Sequence, residues 1–273
     1  MPVMEDRELD LIESIYDALD EGRAEQALEL TREALEQIPD DDPVLRFLAG
    51  RALAELDRPG DAAVELVRAV QLDPDDVEFR TDLAECLYLA CRFEEAKEHA
   101  ARAVELDEGF ADAQYIHALL LERAGEPDRA ERHFSRAAGL DGERFGLPCR
   151  VDADEFGRQL EDARRELPET YREHLAQVGL IVEDLPSDEL LHEETPPLDP
   201  ELLGLFAGVA IDGHSYFSAG GELPPRIYLF KRNLERTVTR PEELTEQIRV
   251  TLYHELGHYL GLDEEELDDA GYA

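Results

Sequence analysis

Small residues recur with a fixed period through the first half of the chain. Alanine stands at 27, 62, 96 and 130, and again at 34, 69, 103 and 137; both series run at spacings of 35, 34 and 34. Gly50, Ala84 and Ala118 repeat at 34 in the stretch that precedes each of the last three pairs. Two helices can approach closely only where their facing side chains are small. A period of this length therefore predicts stacked pairs of helices, each unit burying its apolar face on the next. Pro39 and Pro74 punctuate the joints between units, and Glu108 and Gly142 hold the equivalent places further on.

Residues 5–142 resemble tetratricopeptide repeats, in about four units. The resemblance implies an all-α superhelix whose groove takes a peptide or a partner protein. We expect a repeat domain over 1–142, a linker over 143–151 and a second domain over 152–273. Phe79, Tyr88 and Tyr115 read as core. The chain carries 67 acidic and 27 basic residues, a formal net charge of −40. That balance speaks against a groove built to clamp acidic tails, with Arg46, Arg51, Arg80 and Arg123 as local basic spots only. It also repels nucleic acid and anionic membranes, so neither is expected as a partner. The three cysteines lack metal-ligand spacing and read as reduced, structural thiols, which places the chain in the cytoplasm. The first residues show no basic region followed by an apolar run, so no signal peptide is expected.

Beyond residue 151 the pattern changes. Phe156, Leu160, Ala163 and Leu167 fall at helical spacing and predict a helix over 154–167. Pro168 opens another, to about Val178. Short strands are predicted at 180–184, 205–210 and 226–230. Residues 186–200 read as an acidic, proline-rich loop and 212–221 as a flexible one. Helices, a small sheet and a final long helix make an α+β domain.

That final helix carries the chemistry. His254-Glu255-Leu256-Gly257-His258 places two histidines four residues apart. At roughly 100° per residue they share a helix face about 40° apart, with Glu255 beside them. Two imidazoles can hold one metal ion while the carboxylate acts as a general base toward its water. Thr239 and Glu242 read as a capping box at the start. Ile248, Leu252, Leu256, Tyr259 and Leu260 gather on the opposite face, and Gly261 reads as the left-handed stop. A catalytic zinc needs a third protein ligand. Gly261 lets the chain turn back, which points to Glu264. Asp263 is the rival, but it reads as the N-cap of a last short helix with Glu266 as its partner. Met1 and Met4 are the only methionines, so no methionine turn follows the motif.

Asp154-Glu-Phe, Ile181-Val-Glu-Asp, Leu205-Phe-Ala-Gly-Val, Leu223-Pro-Pro-Arg-Ile-Tyr-Leu-Phe and above all Thr251 to Leu267 resemble the minimal zincin-like metallopeptidases of bacteria. The resemblance implies a minimal zincin domain with His254, His258 and Glu264 on Zn2+ and Glu255 as base, acting on a protein or peptide. Glu264 stands where that family has Asp. His214, Tyr253 and Tyr259 are the candidate oxyanion stabilisers, and the strand at 227–230 a candidate rail for substrate. The whole reads as a zinc metallopeptidase with a recruiting arm. The alternative is an adaptor protein whose zinc domain is structural or weak.

Overall fold

The structure is a computed structural model that describes residues 6–37, 41–211, 215–216, 224–263 and 266–267. The chain divides into two compact units, residues 1–145 and 146–273.

Among the described residues the first unit is eight helices in four pairs: α1 (Asp6–Asp20) with α2 (Ala24–Gln37), α3 (Pro43–Glu55) with α4 (Pro59–Leu72), α5 (Val77–Leu89) with α6 (Phe93–Leu106), and α7 (Ala111–Arg123) with α8 (Pro127–Leu140). The eight periodic alanines are fully buried, as are Ala84 and Ala118. Gly50 shows why the position must be small: a Cβ there would lie 2.5 Å from Leu66 Cγ on the paired helix. Phe79 and Tyr88 are core, and Tyr115 packs against it. The arginines are engaged locally. Arg46 binds Glu65 at 2.7 Å, and the Arg123 guanidinium lies over the Phe93 ring.

A second periodicity appears only in the backbone. Gly22, Asp57, Cys91 and Gly125 have φ of 69°, 55°, 56° and 72°. Each closes the first helix of its pair with the same hydrogen bonds. The next residue's N–H reaches back five positions, as in Arg58 to Leu53 and Glu126 to Leu121, at 3.0 and 2.9 Å. This is a left-handed helix stop, cheap for glycine and costly for a side chain. Asp57 is exposed, so Asp57→Gly removes only the strain. It is expected to stabilise the unit by about 0.5–1 kcal/mol, and Gly125→Ala to destabilise it similarly, both readable by urea unfolding.

His117 on α7 is 5% exposed, and its Nδ1 has no hydrogen-bond partner among the described residues. Burial, followed by the neighbouring His133, pushes its pKa down to about 4. The fold thus favours the neutral ring: its contribution is present above about pH 6.5 and is lost as the pH falls toward 4. His117→Leu should remove that dependence. Between pH 7.5 and pH 5 the wild type should lose about 2 kcal/mol more than the variant, measured by urea unfolding at each pH.

The second unit opens with α9 (Ala153–Glu166) and α10 (Glu169–Leu175). A mixed sheet follows: β1 (Gly179–Glu183), β2 (Gly204–Val209), β3 (Ser215–Tyr216) and β4 (Arg226–Phe230), in the order β1-β4-β2-β3. β1 runs parallel to β4, and β2 antiparallel to both β4 and β3. α11 (Asp188–Leu191) interrupts the loop expected over 186–200, and α12 (Lys231–Arg236) stands between β4 and the long α13 (Pro241–Leu260). Neither short helix, nor β3, was expected from sequence, because elements of two to six residues carry too few periodic positions to register. Phe206, Ile227 and Leu229 of the sheet form one core with Phe156, Leu160 and Ala163 of α9 and Ile248, Leu252 and Leu256 of α13.

α12 ties the start of this unit down. Its Glu235, fully buried, accepts from the Val151 N–H at 3.1 Å and from the Arg150 and Arg232 guanidiniums at 3.0 and 3.2 Å, and also pairs with Lys231. The Glu235 carbonyl takes the Cys149 N–H at 2.8 Å. A buried carboxylate without such partners would cost several kcal/mol.

Candidate metal centre

α13 starts one residue later than its capping pattern predicts. Arg240 is the N-cap and makes no side-chain cap. The Thr239 N–H instead meets Glu243 Oε2 at 3.4 Å, so the reciprocal acid is Glu243 rather than Glu242. Pro241 at the first helical position supplies the start, its fixed φ being already helical. The end is as expected: Gly261 has φ 89°, and the Leu262 N–H reaches the Gly257 carbonyl at 3.0 Å.

The two histidines converge. His254 Nε2 and His258 Nε2 are 3.1 Å apart, with the rings nearly perpendicular. His258 Nδ1 lies 3.3 Å from the Leu262 carbonyl. A carbonyl only accepts, so a neutral His258 keeps its proton on Nδ1 and turns the Nε2 lone pair toward His254. Two nitrogens on one tetrahedral zinc at about 2.0–2.1 Å each would sit about 3.3 Å apart. The pair fits that ion, and the Leu262 carbonyl stands where it would orient the His258 imidazole as a ligand. Glu255, one residue along, is buried.

Each flank of this face is set by a glycine. On the Glu255 side is Gly204, the first residue of β2. A Cβ there would lie 2.7 Å from Thr251 Cγ2 and 3.0 Å from both Cγ and Oε1 of Glu255. On the other side is Gly257, where a Cβ would lie 2.3 Å from Leu267 Cδ2. Leu267 is fully buried, so the chain past Gly261 returns onto α13. The return is held by a reciprocal cap: the Asp263 N–H donates to Glu266 Oε2 at 3.1 Å, and the Glu266 N–H to Asp263 Oδ1 at 2.9 Å. Sequence reading missed both glycines as site residues. The available signals were a glycine at the head of a strand and one inside the helical motif, each a mark of close approach.

Glu264 and His214 lie outside the described residues. Among those described, no cluster of three His, Cys, Asp or Glu side chains could hold a metal ion. The tyrosines expected near the reacting carbonyl are in the core instead. Tyr253 stacks on Tyr171 at 4.0 Å, and Tyr259 packs against Phe206 and His174. β4 is also unsuited as a substrate rail: it is interior, with β1 on one side and β2 on the other, so its backbone groups are taken.

In the first unit a groove of about 570 Å3 crosses the first helices of three repeats. Glu55, Glu78, Asp82, Glu85 and Asp112 line it, with Arg51 and Arg144. Burial, then the neighbouring Glu85, pushes the Asp82 carboxyl up to about 7. Among the described residues no helix is long and apolar enough to cross a membrane.

The Gly257 contact is testable alone. Gly257→Ala must displace Leu267, and overpacking of this kind costs about 1–3 kcal/mol. The chain beyond Leu262 should become sensitive to limited proteolysis, with cleavage mapped by mass spectrometry.

Two family models match the chain: tetratricopeptide repeat over residues 53–120 and zincin-like metallopeptidase over residues 175–272. No curated protein gives a match. Among solved structures, the chain is similar to YrrB, described as a tetratricopeptide protein with an unusual peptide-binding site. Identity is 25% over 46% of this chain and 64% of that one, with a TM-score of 0.42. It is also similar to a thermophilic tetratricopeptide protein of Thermus thermophilus (21%, 50% and 75% covered, TM-score 0.44) and to MamA (20%, 51% and 75% covered, TM-score 0.45). The chain thus spans under two thirds of YrrB, and likenesses of this grade carry no functional weight. The polypeptide joins an N-terminal tetratricopeptide repeat region to a C-terminal zincin-like metallopeptidase domain.

Proposed function

We propose that the chain is a zinc-dependent metallopeptidase whose repeats recruit a protein or peptide. The observation that carries this reading is the convergence of His254 and His258 Nε2 at 3.1 Å beside the buried Glu255. Glu264 is the third ligand in this reading. The commitment of Asp263 Oδ1 to the Glu266 N–H supports it, since Asp263 already has a structural task. Zinc held there would lower the pKa of its water to about 7 and polarise the scissile carbonyl. Glu255 accepts the proton of the attacking water and returns it to the leaving amine. Burial beside Gly204 limits the places its carboxylate can occupy, which favours a fixed geometry for both transfers. His258 is held by the Leu262 carbonyl in the tautomer that ligation needs.

The recruiting groove is acidic, so the segment it receives is neutral or basic; an acidic tail would meet like charge. The three cysteines are buried and none is in a disulfide, which supports a reducing, cytoplasmic setting.

Purified protein should contain about one zinc per chain by elemental analysis. His258→Ala should lose it and Glu264→Ala should hold it more weakly. Glu255→Gln should keep the metal while cleavage of an unfolded protein falls by at least about 100-fold. Cleavage by Glu255→Gln at the wild-type rate would rule this mechanism out.

A further inference from the structure

The groove across α3, α5 and α7 combines two chemistries. Ala54, Leu66, Cys86, Leu89 and Phe110 give it an apolar lining. Against that lining stand the carboxyls of Glu55, Glu78, Asp82, Glu85 and Asp112, with the guanidiniums of Arg51 and Arg144. Both guanidiniums are engaged. Arg144 grips Asp112 through two contacts, at 3.1 and 2.5 Å. Arg51 Nη1 lies 3.9 Å from Glu78 Oε1, and its guanidinium lies over the Phe47 ring.

Asp82 has no such partner. It sits in the middle of α5, partly buried, and makes no hydrogen bond or ion pair with a described residue. The charged groups that act on it are Glu78 and Glu85 of its own helix, Arg51 of α3 and Asp112 of α7. Glu55, Arg144 and Cys86 also line the groove, and burial keeps the Cys86 thiol protonated. No histidine is among the lining residues. A carboxylate in an apolar setting is costly until a cation reaches it. The cation that suits this groove is a compact ammonium on a long aliphatic stem, because the stem can cover the apolar lining on the way in.

We propose that the groove takes a lysine side chain of the recruited segment, its stem along Leu66, Leu89 and Phe110 and its ammonium at Asp82. The proposal rests on the recruiting part of the function proposed above and names the chemistry of the segment recruited. Because the free carboxyl titrates at about 7, the incoming ammonium must displace a proton. An opposite charge favours the ionised form, so binding and proton release are linked.

The test uses the full-length chain carrying Glu255→Gln, so that turnover does not enter. The probes are three alanine–serine peptides of about eight residues, acetylated and amidated, with lysine, norleucine or glutamate at two positions. Binding and proton release are read by calorimetry in two buffers of different ionisation enthalpy. The lysine peptide is expected to bind at least about tenfold more tightly than the other two. It should release about half a proton at pH 7. Its affinity should be about tenfold lower at pH 6 than at pH 8, since the protonated carboxyl that prevails below pH 7 must first ionise. Asp82→Asn should remove the proton release and weaken binding at least about tenfold. Glu55→Lys, at an exposed position of the groove, should weaken binding similarly and serves if Asp82→Asn disturbs folding. Glu29→Gln, an exposed acid on α2 outside the groove, makes the same change in net charge as Asp82→Asn and should leave binding unchanged. Equal binding of the lysine and norleucine peptides, binding without proton release, or a loss in the groove variants no larger than in Glu29→Gln overturns the proposal. These readouts do not depend on the metal, so their failure leaves the zinc reading to its own test of zinc content and cleavage.

Discussion

Leu66 fills the space that a Cβ on Gly50 would need. A comparable relation, a neighbouring side chain pressed onto a position with little or no side chain, recurs at several places where this chain brings two elements together. In the repeats it falls on alanines at the helix crossings, all fully buried. In the second unit it falls on Gly257 under Leu267 and on Gly204 against Glu255. Close packing makes each contact selective, since even one added methyl group forces side chains or backbone to move.

This constraint organises the site. α13 is a core helix on one side, where Ile248, Leu252 and Leu256 are fully buried, and carries His254 and His258 on the other. What bounds that surface is the nearness of β2 along one flank and of the returning chain along the other. Both approaches need glycine. Glu255, the proposed general base, therefore sits in a slot formed by a strand, and its position follows from sheet register as much as from its place in the helix.

Polar groups follow the same economy of placement. Asn233 holds the segment before β2, Glu235 holds the residues before α9, and the Leu262 carbonyl holds His258. Asn233 and the Leu262 carbonyl act beside the place where chemistry is proposed. The Asn233 and Glu235 contacts join residues more than thirty apart and leave no local pattern, whereas the Leu262 carbonyl is only four residues from His258 and lies within the motif.

Sequence by itself determined the helical pairs and their period, the three main strands and the face of α13 that carries His254, Glu255 and His258. These are legible because they depend on spacing along one element, where 3.6 or 2 residues per repeat fixes which side chains share a face. It also gave the Gly261 stop and the Asp263–Glu266 cap, which are local by nature. Tertiary structure alone decided that Tyr253 and Tyr259 turn into the core, and that β4 is interior and cannot receive a strand. It alone placed Gly204 against Glu255. The physical reason is the same in each case: these are contacts between elements distant in sequence, set by strand order and close packing, and no periodicity in the chain encodes them.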